Sequence, residues 1–455
     1  MRLFAPQARL PHGWAENVLI EVDDRGLITA VTEGASPDGA TRLPGPILPA
    51  IPNLHSHAFQ RGMAGLGERR GAEGDDFWSW REVMYRFLDR MTPEDLETVA
   101  ARLYVEMVEA GYSRVCEFHY VHNDAQGRAY ADPLETARAH IRAAKTAGIA
   151  LTLVPVLYSH SNFGGQPPKH GQRRFIQSTD AYLAQIEALG IEAAREGFDL
   201  GVSVHSLRAA TSEQIAEVLK TVPATLPVHI HVAEQTKEVD DCLAWSGKRP
   251  VEWLLDNVGL DARWRLVHAT HMTPEETRRT AESGAVAVVC PTTEGNLGDG
   301  FFDVDGWFAA GGAFGIGTDS HVSIDPREEL RWFEYARRLR HRKRGLAATP
   351  SQPYPGARLW LDAAAADDRG GGAPTGAIAP GKLADFVVLD TDAPLIGGRS
   401  GDALIDSFVF VSNAGPSPIR ETWIKGRRVT DAGRHPQSEQ TARAYAETVR
   451  RLAAD

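Results

Sequence analysis

Residues 46–57 read Pro46-Ile47-Leu48-Pro49-Ala50-Ile51-Pro52-Asn53-Leu54-His55-Ser56-His57, an apolar run that ends in two histidines. Side chains alternate between the two faces of a strand, so His55 and His57 point the same way. Two imidazoles on one face at the end of a strand can bind one metal ion. The run therefore predicts a buried strand that leads into a metal site.

Further groups with metal-binding or acid-base chemistry follow apolar, strand-like runs later in the chain. His231, His268 and Asp319 each stand directly after such a run, and Glu234 lies three residues beyond His231. In a (β/α)8 barrel the carboxyl ends of all eight strands meet on one face, where the active site lies. The pattern predicts that these side chains gather on that face.

Apolar runs alternate with helical patterns through the middle of the chain. Runs such as 151–157 and 285–290 are apolar at nearly every position, which is typical of parallel strands buried on both faces. Helical periodicity covers 99–110 and 179–195. This alternation predicts an α/β fold with a (β/α)8 TIM-type barrel over residues 48–376. The expected strands end near Leu54, Phe118, Val156, Val204, Ile230, Val267, Val289 and Ile316.

Both ends of the chain carry short β patterns that are too small to fold alone. At the amino end, the apolar runs 18–22 and 27–31 flank a glycine turn and predict a hairpin. Near the other end, 384–390 and 405–411 predict strands, and 421–429 predicts another hairpin. Pairing between the two ends predicts one small β-sandwich domain built from residues 1–47 and 377–436. Residues 437–455 have helical spacing and predict a C-terminal helix.

The composition excludes several classes of protein. The 455 residues are 43% hydrophobic and 24% charged, which is ordinary for a globular protein, and the formal net charge is −11. An acidic balance argues against nucleic-acid binding, although a local pocket can still hold a small anion. Because three scattered cysteines, no signal core and no membrane-length apolar run are present, we expect a cytoplasmic protein that contacts no membrane.

The donor set predicts the metal. His55, His57, His231 and Asp319 offer three imidazoles and one carboxylate, which suit Zn²⁺ with a water completing the shell. Fe²⁺, Mn²⁺ or Co²⁺ would accept the same ligands. Two-metal barrels of this kind often use a lysine at the end of the fourth strand, and residues 200–208 contain none. We therefore expect one metal ion.

Three residues are expected to carry the catalysis. Glu234 can move a proton between the nucleophile and a leaving nitrogen, and Asp319 can bind the metal and accept a proton from its water. His268 can stabilise charge in a tetrahedral intermediate. Two other histidines compete for these positions: His229 shares a strand face with His231 but lies deeper, and His271 follows His268 in a loop before a helix.

The order His-x-His, His-x-x-Glu, His and Asp resembles the amidohydrolase superfamily, in its mononuclear deaminase branch. A closer resemblance, to the formimidoylglutamate deiminase family, covers nearly the whole chain and rests on residues 54–61, 117–122, 205–209, 229–235 and 318–323. This resemblance implies hydrolysis of N-formimino-L-glutamate to N-formyl-L-glutamate and ammonia, in histidine degradation. It also implies a zinc-dependent enzyme with a small-molecule substrate that forms a homodimer.

The implied substrate has two carboxylates, which need cations or hydrogen-bond donors. Arg208, just beyond the fourth strand, and Arg81, in the first long loop, can make bidentate contacts with them. Gln60, Tyr120 and His205 add amide, hydroxyl and imidazole groups at strand ends, and the resemblance points to the same five positions. For Arg81 a surface ion pair is an equal alternative.

Several alternatives stay open at this point. The long segments 60–90 and 159–175 either form walls of the site or pack on the surface. Glu294 could face the cationic formimino group or cap a helix. The chain could instead deaminate a purine, pyrimidine or triazine, against which Arg208 argues, or open a ring as imidazolonepropionase does. A non-catalytic barrel is disfavoured because all the expected ligands are present.

Overall fold

The computed structural model describes residues 1–68, 77–412 and 417–454, so part of the predicted segment 60–90 lies outside the described residues. The strands are β1 (Arg2–Leu10), β2 (Gly13–Val22), β3 (Ile28–Thr32), β4 (Thr41–Arg42), β5 (Ile47–Pro49), β6 (Ile51–Ser56), β7 (Tyr112–His119), β8 (Ala150–Leu157), β9 (Asp199–Leu200), β10 (Val202–Val204), β11 (Val228–Val232), β12 (Trp264–His268), β13 (Val286–Val289), β14 (Ala313–Ile316), β15 (Phe386–Leu389), β16 (Ile419–Ile424) and β17 (Arg427–Arg428).

The α-helices are α1 (Phe77–Leu88), α2 (Pro93–Ala110), α3 (Glu135–Ala147), α4 (Thr179–Glu196), α5 (Ser212–Thr221), α6 (Thr236–Ser246), α7 (Pro250–Asn257), α8 (Pro274–Glu282), α9 (Pro291–Leu297), α10 (Val304–Ala309), α11 (Pro326–His341), α12 (Pro355–Ala364), α13 (Asp402–Phe410) and α14 (Ser438–Leu452). Short 3₁₀ helices cover Ala58–Met63 and His170–Gln172. None of the helices described is both long and apolar enough to cross a membrane.

A closed barrel of eight parallel strands forms the centre of the molecule. The ring runs β6, β7, β8, β10, β11, β12, β13, β14 and returns to β6, and the short β9 extends the pairing next to β8. Almost every residue of these strands is buried, as the continuous apolar runs predict. The predicted (β/α)8 barrel is confirmed, and each barrel strand ends within two residues of its expected end.

The seam where the barrel closes joins β6, which leads to His55 and His57, to β14, which leads to Asp319. Asn53 Nδ2 donates to Thr318 Oγ1 at 2.6 Å, and Asn53 Oδ1 accepts from the Thr318 backbone N–H at 3.2 Å. Just beyond the end of β6, the His57 backbone N–H donates to the Asp319 carbonyl at 3.2 Å. A buried side chain that bonds both strands fixes their register, so His55 and His57 face Asp319.

Strands from both ends of the chain form one second sheet. Its order is β17-β16-β15-β5-β1-β2-β3, with β4 beside β1. The sheet curls so that Leu27 pairs with Leu383. At this contact Gly26 has a φ of 84°, and a Cβ there would lie 2.4 Å from Lys425 Cβ, so glycine is required. The small β domain built from both termini is confirmed, while its exact boundaries stay predictions.

The expectation of a strand over 405–411 is wrong, because this segment lies almost entirely in helix α13. Leu404, Ile405, Phe408 and Val409 are the buried residues of that helix, and they form two pairs four residues apart. This spacing places them on one helical face. A short apolar run suits a strand and a buried helix equally well, so the pattern of the run could not decide between them.

Helix α14 braces the segment that carries Gln60. It packs against α2, and the Tyr445 hydroxyl donates to the carbonyl of Arg61 at 2.9 Å. The Arg61 guanidinium in turn donates to the carbonyl of His321 at 2.8 Å, beside the closing seam of the barrel. The C-terminal helix therefore stabilises a 3₁₀ turn at the rim of the predicted site.

Candidate active site and metal centre

Four buried side chains converge at the carboxyl end of the barrel, and their ligand atoms lie within 4.8 Å of one another: His55, His57, His231 and Asp319. His55 Nε2 lies 3.0 Å from the Nε2 atoms of both other histidines. Asp319 Oδ1 lies 3.3 Å from the Nε2 atoms of His55 and His57. Ligand atoms around a tetrahedral zinc ion are about 3.3 Å apart, so this spacing suits one such ion.

The hydrogen bonds of these rings place nitrogen lone pairs opposite one another. His57 Nδ1 lies 3.0 Å from the Phe118 carbonyl, and His231 Nδ1 lies 3.0 Å from the His205 carbonyl, so each Nδ1 must carry a proton. Burial lowers the pKa of His57 to about 3 and that of His231 well below its usual value, which keeps both rings neutral. Their Nε2 lone pairs, 3.4 Å apart, repel unless a cation lies between them.

Backbone conformation at the strand ends aims two of the predicted residues into the barrel mouth. His268 has a φ of 67° and Asp319 a φ of 46°, in the left-handed region that residues with a side chain seldom adopt. Such strain is held only where the surrounding structure fixes it, and it is concentrated at functional sites. The chain turns sharply at both positions instead of continuing as a strand.

Glu234, His268 and Asp319 form a charged group beside the four ligands. His268 Nε2 lies 3.6 Å from Glu234 Oε1 and 3.8 Å from Asp319 Oδ2. Burial alone would lower the pKa of His268, but Glu234, Glu294 and Asp319 together raise it to about 10. Burial raises the pKa of Glu234, which His268 and Arg208 partly offset. The surrounding carboxylates thus favour the cationic form of the His268 imidazole, and burial favours the protonated form of Glu234.

A cavity of about 510 Å³, measured with its opening, lies over this group. All five predicted substrate-binding residues line it, and so do Glu234, His268 and most of the predicted ligands. The lining consists of His57, Gln60, Phe77, Trp80, Arg81, Met84, Tyr120, Tyr158, Phe175, His205, Arg208, His231, Glu234, His268, Leu297, Asp319 and Ser320. The long segments that follow β6 and β8, the first and third strands of the barrel, both contribute residues to these walls.

Two guanidinium groups lie in the wall of this cavity. Arg208 is buried, its Nη2 lies 3.9 Å from the carboxylates of Glu234 and Glu238, and its Nε has no hydrogen-bond partner in the described part of the chain. Arg81 donates to the hydroxyls of Tyr85 at 2.7 Å and Tyr158 at 3.2 Å. These contacts place Arg81 inside the site, unlike the surface ion pair considered above.

The neutral polar residues complete this wall. Gln60 Nε2 donates to the Tyr120 hydroxyl at 3.1 Å, and Gln60 Oε1 is buried without a partner among the described residues. The His205 ring lies 4.7 Å from the ring of His231, centroid to centroid. By contrast, His271 Nε2 bonds the carbonyl of Asp299, away from the four ligands. Burying the Gln60 Oε1 atom without a partner costs free energy, so this oxygen is suited to accept a hydrogen bond from a ligand.

Tyr158, Met84 and Phe175 are among the residues of the cavity wall that were not singled out from the sequence. Tyr158 directly follows β8, so the same strand-end argument that selected Tyr120 could have found it. Met84 and Phe175 lie in the long connections, where no spacing rule applies, and no signal in the sequence points to them. Tyr158 also accepts a hydrogen bond from Gln172 at 2.8 Å, which ties the second long segment to the wall.

A second group of buried histidines lies behind the site, between β7 and the helices. The His119 ring lies 5.1 Å from that of His122 and 4.9 Å from that of His140, centroid to centroid. Burial lowers the pKa of His122 to about 4, that of His140 to about 3, and that of His119 well below its ordinary value of 6.5. All three rings are therefore neutral in the folded protein.

We expect these histidines to make the protein sensitive to acid. A folded-state pKa below the unfolded one gives stability above about pH 6.5, and this stability is lost as the pH falls toward the folded value. Each such ring should cost about 2 kcal/mol of unfolding free energy at pH 5. Urea unfolding at pH 7 and pH 5 tests this. Between these two pH values, His140→Phe should lose about 2 kcal/mol less unfolding free energy than the wild type. Equal losses in both proteins would contradict it.

Comparison with known proteins finds relatives that match nearly the whole chain. The model of the Amidohydrolase family matches residues 46–429, and the model described as Formimidoylglutamate deiminase HutF, N-terminal domain, matches residues 2–45. The chain is 50% identical over 450 residues to the formimidoylglutamate deiminase of Pseudomonas aeruginosa, covering 99% of both proteins. The boundary between the two matched regions, at residues 45 and 46, lies between β4 and β5.

Solved structures agree with this. The crystal structure of an amidohydrolase from Brucella melitensis superposes with a TM-score of 0.92 at 46% identity, covering 100% of each chain. An adenosine deaminase from Xanthomonas campestris with bound zinc has a TM-score of 0.77 at 19% identity, covering 99% of this chain and 97% of that one. At such low identity the second likeness shows the fold alone.

Proposed function

Because this chain belongs to the amidohydrolase family, we propose that it hydrolyses N-formimino-L-glutamate to N-formyl-L-glutamate and ammonia, as a formimidoylglutamate deiminase of histidine degradation. One observation carries the proposal: a single cavity is lined by His57, His231 and Asp319 of the four-ligand group and by the guanidinium groups of Arg81 and Arg208. The 50% identity to the deiminase of Pseudomonas aeruginosa supports the same activity.

We assign one Zn²⁺ to His55, His57, His231 and Asp319, because three imidazoles and a carboxylate at this spacing form a zinc-type donor set. When bound, the metal supplies a water that loses its proton near neutral pH. Other divalent ions of similar size accept these donors, so the metal found in the cell is a separate question for measurement.

The acid-base residues then divide the proton transfers. Asp319 accepts the proton of the attacking water, whose oxygen adds to the formimino carbon. Glu234 passes the second proton of that water from the added oxygen to the nitrogen of the cationic formimino group, so that the C–N bond breaks, ammonia leaves and the oxygen becomes a carbonyl. His268, which is held cationic by the carboxylates around it, stabilises the oxygen that gains negative charge. The formamide that results is N-formyl-L-glutamate, which remains in the site until it is released.

The cavity wall binds the other end of the substrate. Arg208 and Arg81 pair with its two carboxylates, and one donor for this contact is the Nε of Arg208, which has no hydrogen-bond partner among the described residues. Gln60, Tyr120 and His205 hydrogen-bond the chain between the carboxylates and the formimino group. Cations lie in the wall and carboxylates near the floor, so the site matches a substrate with anionic and cationic ends.

The test is ammonia release by the zinc-loaded protein from N-formimino-L-glutamate. N-formimino-L-aspartate and guanine are run alongside, because the aromatic residues of the wall would also suit a heterocycle. Release from the glutamate derivative, with N-formylglutamate as the other product, would support both the reaction and the pocket. Turnover of guanine alone would keep the metal chemistry and reject the assignment of Arg208.

Replacing Arg208 by Met should raise KM for N-formimino-L-glutamate about 100-fold, because charge-assisted hydrogen bonds to a carboxylate are lost. Arg208→Lys should fall between Met and wild type, since lysine keeps the charge without the fork. The control is Arg278→Met, which removes an exposed arginine that pairs with Glu275 and Glu282. Steady-state kinetics decide, and a KM within threefold of wild type for the Arg208 variants would reject the role.

Two further expectations stay proposals. A homodimer is implied by the resemblance to the deiminase family, and a cytoplasmic location is expected from the sequence, whose three cysteines are few and scattered. Light scattering of the purified protein measures its mass, and a mass of 49.6 kDa, that of one chain, would reject the dimer. Fractionation of the producing cells tests the location.

A further inference from the structure

Glu294 is a buried carboxylate on helix α9 with two donors on one oxygen. Its Oε1 accepts from the backbone N–H of Cys290 at 2.8 Å and lies 3.2 Å from Nδ1 of His268. Glu294 is 6% exposed and does not belong to the lining of the catalytic cavity. The sequence left two roles for Glu294, facing the formimino group or capping a helix. Neither is complete, because Glu294 bonds the start of its own helix and also contacts His268 on β12.

The contact decides how the His268 ring is oriented. With Nδ1 at Glu294, Nε2 faces Glu234 at 3.6 Å and Asp319 at 3.8 Å. A half-turn of the ring would place a carbon where Nε2 now lies, and the C–H would face the reacting groups. Because a carboxylate only accepts hydrogen bonds, Nδ1 must carry a proton as long as the contact is kept. The neighbouring carboxylates that Nε2 faces are part of the catalytic group.

We propose that Glu294 is a positioning residue for His268, holding the imidazole with Nδ1–H toward Oε1 and Nε2 toward the reacting atoms. This rests on the proposed function, in which His268 stabilises the oxygen that gains charge. Glu294 acts through His268 and does not touch the substrate. The arrangement parallels the carboxylate that orients a catalytic histidine in other hydrolases.

The chain offers a matched control for helix anchoring. Glu329, on α11, is also fully buried and accepts from Thr292, in the same first turn of α9, through the backbone N–H at 2.9 Å and the hydroxyl at 2.5 Å. It holds the helix as Glu294 does, and its described hydrogen bonds do not involve His268. If Glu294 served only to anchor α9, then changing either carboxylate would have the same effect.

The experiment compares Glu294→Ala, Glu294→Gln and Glu329→Gln with the wild type. Glu294→Ala should lower kcat about 100-fold with KM and metal content nearly unchanged, which is the size of loss seen when a partner that orients a site residue is removed. Glu294→Gln should recover most of kcat, because its amide oxygen accepts the same two N–H groups. Glu329→Gln should stay within threefold of wild type. Equal losses in Glu294→Ala and Glu329→Gln would overturn the proposal.

A double variant tests whether the effect passes through His268. His268→Asn combined with Glu294→Ala should be no slower than His268→Asn alone, since residues that act as one unit are not additive. Independent, multiplying losses would overturn the proposal. Melting temperatures of all variants separate lost stability from lost orientation.

Crystal structures of Glu294→Ala and Glu294→Gln give a readout that needs no activity. The His268 ring should be rotated or disordered in the alanine variant and unchanged in the glutamine variant. A ring that keeps its orientation in Glu294→Ala overturns the positioning role whatever the substrate is. Conversely, a rotated ring in a protein that does not release ammonia from N-formimino-L-glutamate would keep the positioning role and reject the proposed function.

Discussion

The Glu234→Gln variant is expected to bind its metal and to turn over about 1000-fold more slowly than the wild type. Glutamine keeps the size of the side chain but cannot carry a proton, so the imino nitrogen would have to leave without being protonated. Glu234 lies outside the group of four ligand atoms, and removing its charge should leave them in place. Measuring kcat and metal content on the same preparation separates these two effects.

A buried carboxylate elsewhere provides the control for Glu234. Glu276 is 4% exposed, accepts from the backbone of Thr273 and pairs with Arg249, outside the lining of the cavity. Glu276→Gln should lose stability but keep kcat close to wild type. Robust turnover by Glu234→Gln would remove Glu234 from the mechanism, and loss of metal from that variant would show that it acts as a ligand.

The second large effect is expected from His231→Asn, which should lose both the metal and the activity, while His229→Asn should keep both. Both histidines are buried on the same face of β11, but only His231 belongs to the group of four ligand atoms. Removing one of four ligands should lower the metal affinity steeply, because the other ligands then hold an incomplete shell. The readout is zinc per chain after dialysis.

Metal removal from the wild type should reproduce the loss seen in His231→Asn. A chelator should abolish ammonia release, and added Zn²⁺ should restore it in the wild type but not in the variant. If His229→Asn lost its zinc and His231→Asn kept it, the ligand assignment on β11 would be reversed. A wild type that stayed fully active after complete removal of the metal would reject the metal-dependent mechanism.

The barrel and the proposed ligands could both be predicted from the sequence, because both follow from local rules. Alternation along β6 places His55 and His57 on one face, and an apolar run that stops marks where the next polar side chain faces the barrel mouth. The geometry then brings His231 and Asp319 to the same point, as expected from parallel strands that end on one face.

These local rules could not predict contacts between segments that are distant in the sequence. The helical spacing of Leu404, Ile405, Phe408 and Val409 is ambiguous in a short apolar run, and packing of α13 on α12 decides it. The link from Glu294 to His268 joins a helix to a strand that precedes it in the chain, and no spacing in the sequence encodes that contact. Such contacts exist only once these segments have packed against each other in the folded chain.

The curled sheet at the side of the barrel has a consequence for synthesis on the ribosome. Strand β5 pairs directly with β15, yet residues 50–385 must be translated between them. At a bacterial or eukaryotic rate of about 5–20 residues per second, the first strands wait roughly 20–70 s for their partner. During that time β5 presents an open edge that could pair with other nascent chains. We expect chaperone dependence to be concentrated in this interval, before the last strands emerge.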